Sequence, residues 1–163
     1  MPWKQQVLVV ANLTATSHEL LGVLRERVQR EPTEVHLVIP ASPLGSGRQA
    51  AMQTLEDALE KVRSAGLDAD GAVGHPDPFL AVMEVWDPKR YDEIVVSTLP
   101  IGASKWLHAG LPERIGRATG ALVTHVVAQP VPQAISGKPP PAHERLGILR
   151  PLSVLGWAPS KHA

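Results

Sequence analysis

Two groups of small polar residues follow two apolar runs, and their side chains suit the holding of a polar ligand. Asn12 and Thr14 follow Val7–Ala11, while Ser97, Thr98, Gly102, Ser104, Lys105 and Gly110 follow Ile94-Val95-Val96. Amides and hydroxyls both donate and accept hydrogen bonds, and an ammonium pairs with an anion. Gly110 directly precedes a helical pattern, whose free N–H groups favour an anion by about 0.3–1 kcal/mol. The same hydroxyls also serve as helix caps and turn residues. Both uses remain open at this level.

Nothing comparable emerges for covalent or metal chemistry. Gly45-Ser46-Gly47-Arg48-Gln49-Ala50 fits a dinucleotide pattern, with Asp68 and Asp70 about twenty residues on. However, it stands apart from the preceding strand and follows the second strand rather than the first, so a loop is the better reading. His18-Glu19-Leu20-Leu21-Gly22 and His143-Glu144-Arg145-Leu146-Gly147 begin like a zinc-protease helix, but glycine occupies the second histidine position in each. His75 and Asp77 sit between prolines, which makes them turn residues first. His36 and His125 fall within strands and read as core or sheet-face residues. There is no nucleophile elbow and no phosphate-loop lysine. Neither a catalytic residue nor a metal site is assigned.

These residues need elements to position them. The chain has 163 residues, 44% apolar and 20% charged, with zero formal net charge and no cysteine. That allows one domain with a core. It argues against nucleic acid as a partner, because phosphate contacts need a basic excess. It also excludes disulfides and suits a cytoplasmic setting. Met1-Pro2-Trp3-Lys4 leads straight into a short apolar run, so no secretory signal is expected, and no stretch has the length of a membrane span.

Val7–Ala11 and Val35–Ile39 are continuous apolar runs, as in strands buried on both faces. Leu20, Leu21, Leu24 and Val28 recur at helical spacing after the cap candidates Thr14 to Ser17, and Met52, Leu55, Leu59 and Val62 do so before Gly66. Asp68 to Val73 is poor in apolar bulk and carries two acids, which predicts a sheet edge. Phe79 to Trp86 predicts a short helix, Ile94–Val96 a strand, Leu111 to Thr119 a helix and Ala121 to Val127 a last strand. Five strands, near residues 6–11, 35–39, 69–73, 92–97 and 121–127, alternate with four helices. That is the pattern of a doubly wound, open, Rossmann-like parallel α/β sheet. A (β/α)₈ barrel needs about 200 residues or more. Residues 1–128 are read as this domain, and residues 129–163 as a proline-rich arm with an apolar end segment, Leu146–Trp157, suited to docking in cis or across a dimer.

The element order and four local features resemble the universal stress protein family over roughly residues 4 to 127. The features are the buried first strand ending near Asn12, the turn Gly74-His75-Pro76-Asp77-Pro78, the strand Tyr91-Asp92-Glu93-Ile94-Val95-Val96-Ser97, and the loop after it. The resemblance implies sheet order 3-2-1-4-5, frequent dimerisation through the last strand, and membership of either an ATP-binding or a non-binding branch. In that order the chain reverses between strands 1 and 4, and the two polar groups meet in the crevice at their carboxyl ends.

ATP-binding members carry Gly, two residues, Gly, nine residues, Gly, then Ser or Thr. Here those positions are Ser97, Pro100, Gly110 and Leu111, and the family's acidic residue after the first strand falls near Asn12. Pro100 has no N–H to donate, and Leu111 lacks a hydroxyl. The expectation is therefore a binding or regulatory module with a degenerate nucleotide site, non-catalytic and homodimeric, with weak affinity for ATP or another adenine nucleotide. The alternative is an ATP-dependent switch or weak ATPase using the loops after strands 1 and 4.

Overall fold

In the computed structural model, residues 3–42 and 45–129 are described, all within the unit Met1–Pro130. The expected C-terminal segment Leu146–Trp157, and the arm beyond Gln129, lie outside the described residues. The elements run β1 (Gln5–Val10), α1 (His18–Arg30), β2 (Thr33–Pro40), α2 (Gly47–Ser64), β3 (Asp68–Gly74), α3 (Pro78–Val85), β4 (Glu93–Thr98), α4 (Lys105–His108), α5 (Leu111–Thr119) and β5 (Leu122–Val127). The sheet order is β3-β2-β1-β4-β5, with every pair parallel. The expected α/β sheet and its order are therefore found. One element goes beyond expectation: the single turn α4, within a loop read as irregular.

Alternation along β1 builds two cores. Val7 and Val9 pack with Leu20, Leu24, Leu55 and Val62 of α1 and α2. Leu8 and Val10 pack on the opposite face with Val82, Leu111 and Ile115 of α3 and α5. The central strands are continuously apolar because both faces are covered.

Local chemistry sets the helix ends. Ser17 Oγ accepts from Leu20 N at 3.2 Å to start α1, and Asp77 Oδ1 accepts from Phe79 N at 2.8 Å ahead of Pro78 to start α3. That is the turn role expected of Asp77, and Asp77 N donates to His75 Nδ1 at 3.0 Å within the same turn. Strand β3 does lie at the edge, and its weak apolar content has a packing reason. A Cβ at Gly71 would come within 2.4 Å of Leu37 O and 2.7 Å of Leu55 Cδ1, so glycine there lets α2 close onto the sheet.

At the amino end of the central strands a buried ion pair ties α1 to β4 and β5. Arg27 Nη2 and Nε donate to Glu93 Oε1 and Oε2 at 2.8 and 3.2 Å. Thr124 Oγ1 donates to Glu93 Oε1 at 2.6 Å, and Gln5 Nε2 reaches Oε2 at 3.4 Å. Glu93 is 1% exposed. The Glu93 hydrogen bond holds the Arg27 guanidinium above its usual range, against the cost of its partial burial.

Candidate functional site

A cavity of about 280 Å³ opens at the carboxyl ends of β1 and β4, where the sheet order reverses. Six of the expected residues line it: Asn12, Thr14, Ser97, Thr98, Ser104 and Lys105. Gly102 and Gly110 do not. Gly102 is exposed in the turn after Pro100, with nothing near its Cβ position, and Gly110 begins α5. Leu13, Leu99, Ala103 and Trp106 also line the cavity and carried no signal in a reading based on polar groups. Trp106 packs against the core on the α3 and α5 side, which fixes one apolar wall.

The hydroxyls are engaged with their neighbours. Buried Ser97 Oγ donates to Thr14 Oγ1 at 2.7 Å, bridging the ends of β4 and β1. Thr98 Oγ1 lies 2.7 Å from His125 Nε2 on β5. Ser104 Oγ accepts from Leu107 N at 3.3 Å and caps α4. The Asn12 carbonyl accepts from Ala15 N at 3.1 Å, closing the turn after β1. So the cap-and-turn role accounts for Ser104, and cross-strand pairing accounts for Ser97, Thr14 and Thr98. The half-exposed Asn12 and the exposed Lys105 bring a polar side chain and a charge to the rim. Lys105 is the one charged side chain among the described residues lining the cavity.

The loop after β4 folds on Pro100. The Pro100 carbonyl accepts from Ala103 N at 2.8 Å and from Ser104 N at 3.0 Å. Two amides are thus turned inward, towards a residue that has none of its own to offer. Leu111 is 1% exposed and part of the core. Gly110 adopts φ 63, and the one heavy atom within 4 Å of its Cβ position is Glu113 Oε2 at 3.8 Å. A carboxylate therefore stands over the first turn of α5, where its charge complements the helix dipole.

The Thr98–His125 pair has the reach of a nucleophile and a base. Among the described residues, no group is hydrogen-bonded to the other ring nitrogen, so the orienter of a triad is lacking. None of the described helices is long and apolar enough to cross a membrane.

No protein-family model and no curated protein matches the sequence. Solved structures do match. One is a crystal structure of a universal stress protein in complex with cAMP, at 20% identity and TM-score 0.53, covering 77% of this chain and 98% of that one. A universal stress protein family protein from Arabidopsis thaliana with AMP bound shares 14% identity at TM-score 0.56, over 76% of this chain and 92% of that one. The universal stress protein from Archaeoglobus fulgidus in complex with dAMP shares 16% identity at TM-score 0.55, over 77% and 99%. The fold is that of universal stress proteins.

Proposed function

We propose that this chain is a non-catalytic binding or regulatory module whose crevice between β1 and β4 takes an adenine nucleotide weakly. One observation carries the reading: the cavity lies at the reversal point of a fold whose solved examples include complexes with cAMP, AMP and dAMP. A crevice at the carboxyl ends of parallel strands is where open α/β sheets hold their ligands. The degenerate character rests on Pro100, whose carbonyl draws the loop amides inward, and on the buried Leu111. Each lost charge-assisted hydrogen bond is worth about 1.5–3 kcal/mol, so two would weaken phosphate binding by about 10² to 10⁴-fold.

Titration with AMP, followed by amide chemical shifts, tests the reading. Shifts are expected at Asn12, Thr14, Ser97, Thr98 and Lys105, with dissociation constants in the high micromolar to millimolar range. Micromolar ATP affinity, or a purified sample carrying ATP, overturns the degenerate site in favour of a nucleotide switch. Absence of shifts at these residues refutes the crevice as the ligand site.

The same reading makes the protein a cytoplasmic homodimer. Support comes from β5, an edge strand whose Leu122 is 67% exposed. Among the described residues no strand pairs with its outer side, and an apolar strand edge of that kind is a template for association. Light scattering decides the matter, since a monomer at high micromolar concentration refutes the dimer.

A further inference from the structure

We infer that the crevice binds its ligand by a planar base rather than by phosphate, with the Trp106 side chain as the stacking surface that sets affinity. The inference rests on the nucleotide reading of the crevice given above and goes further by naming the recognised part of the ligand and a specificity-determining residue.

Three observations carry it. First, the cavity is small. Its volume of about 280 Å³ stands at the lower end of the roughly 300–1,000 Å³ usual for ligand sites, which suits a nucleoside or a mononucleotide. Second, the polar lining has little left for a phosphate chain. Ser97 is bonded to Thr14, Thr98 to His125, and Ser104 to Leu107 N. Among the described residues, the lining side chains left for a polar ligand are those of Asn12 and Lys105. An amide offers a donor and an acceptor side by side, as the edge of adenine requires, and one ammonium answers a single anionic group.

Third, apolar side chains line the cavity from both loops. Leu13, 80% exposed, belongs to the loop after β1, while Leu99, Ala103 and Trp106 belong to the segment after β4. Trp106 is the one aromatic residue among them. It is half-buried and packs against the core beside α3 and α5 while lining the cavity, so the ring is held in place before a ligand arrives. Every base has a π-face to stack, and a ring already immobilised loses little freedom in stacking on it.

The test compares adenosine, AMP and ribose 5-phosphate by shift titration at one fixed ionic strength, on the full chain and on Trp106→Phe and Trp106→Leu. Adenosine is expected to bind within about tenfold of AMP, and ribose 5-phosphate about tenfold or more weakly than AMP. The indole N–H of Trp106 should shift as adenosine binds. Loss of a stacking ring costs about 5- to 150-fold in affinity, so Trp106→Leu should weaken adenosine by about fivefold or more. Trp106→Phe keeps a ring and should stay within about threefold of the unaltered chain. Ribose 5-phosphate binding as tightly as AMP, or AMP binding without adenosine, overturns the inference while leaving the crevice reading intact. Unchanged adenosine affinity in Trp106→Leu with native circular dichroism also overturns it. So does an indole N–H of Trp106 that stays unmoved at saturating adenosine, a result that does not depend on either variant folding. If none of the three compounds binds, both readings fall together.

Discussion

Replacing Arg27 by Met removes the charged partner of a buried carboxylate. Glu93 is 1% exposed and accepts two hydrogen bonds from Arg27, at 2.8 and 3.2 Å. After the substitution it keeps only the neutral donors Thr124, at 2.6 Å, and Gln5, at 3.4 Å. Breaking a buried pair on one side costs about 3–5 kcal/mol. The Arg27 side chain is 20% exposed, so water can reach the vacated place, and the lower end, about 3 kcal/mol, is expected. That is a large share of the 5–15 kcal/mol typical of a domain. Urea unfolding followed by tryptophan fluorescence reads it directly. With urea slopes of about 1–3 kcal/mol per molar, the midpoint should drop by about 1–3 M at an unchanged slope.

The double variant Arg27→Met with Glu93→Gln should recover at least half of the loss, because the uncompensated charge is gone while Thr124 keeps an acceptor. The sign with pH follows from Arg27. Its folded-state pKa is raised, so its contribution is fully present below the unfolded value and lost only in strong alkali. The loss on substitution should therefore be flat between pH 6 and 9. A single-variant loss under about 1 kcal/mol, or strictly additive effects in the double variant, refutes the reasoning.

The chain has one tyrosine, so its alkaline absorbance reports Tyr91 alone. Burial at 3% exposure pushes its pKa above the ordinary value of about 10, and stability should fall as pH rises above 10 towards the raised folded-state value. Titration of the folded protein at or below the value of the denatured protein contradicts this. Leu111→Ser, which places a hydroxyl at the start of α5, should cost about 2–5 kcal/mol in urea unfolding, because Leu111 is a core residue. Pro100→Gly avoids that cost and should raise ATP affinity by itself in a calorimetric titration. No gain in ATP affinity would show that the missing N–H and fixed φ at position 100 are not what limits phosphate binding.

The number and kind of the strands and helices were legible because each advertises its own burial, whereas the order of the central strands came from the family resemblance. Val7–Val10 is apolar throughout since β1 is covered on both faces, and Asp68 and Asp70 betray the edge. What stayed hidden is whatever depends on register between distant strands. Thr14 meets Ser97 across 83 positions and Arg27 meets Glu93 across 66, spacings that no local pattern encodes. Helix α4 escaped because four residues are too few for a periodicity. Leu111 was legible as a missing hydroxyl but not as a core residue, since only the packing of α5 against β4 decides where its side chain goes. Leu13, Leu99 and Trp106 were missed because apolar residues in a loop announce nothing until a cavity forms around them.

The 2.7 Å contact between Thr98 and His125 gives the crevice wall a polarity that can be reversed. When Nε2 is unprotonated, it accepts a hydrogen bond from the Thr98 hydroxyl, and the Thr98 oxygen can offer only lone pairs to a ligand. When Nε2 carries the proton, it donates to that oxygen, and the Thr98 hydroxyl hydrogen is released to point elsewhere. The cavity therefore presents an acceptor in one tautomer and a donor in the other, with no atom heavier than hydrogen displaced. Because His125 belongs to the exposed edge strand β5, whatever solvates or covers that edge writes the parity of this proton. By reciprocity, a ligand that demands a donor at Thr98 imposes the matching state on the surface.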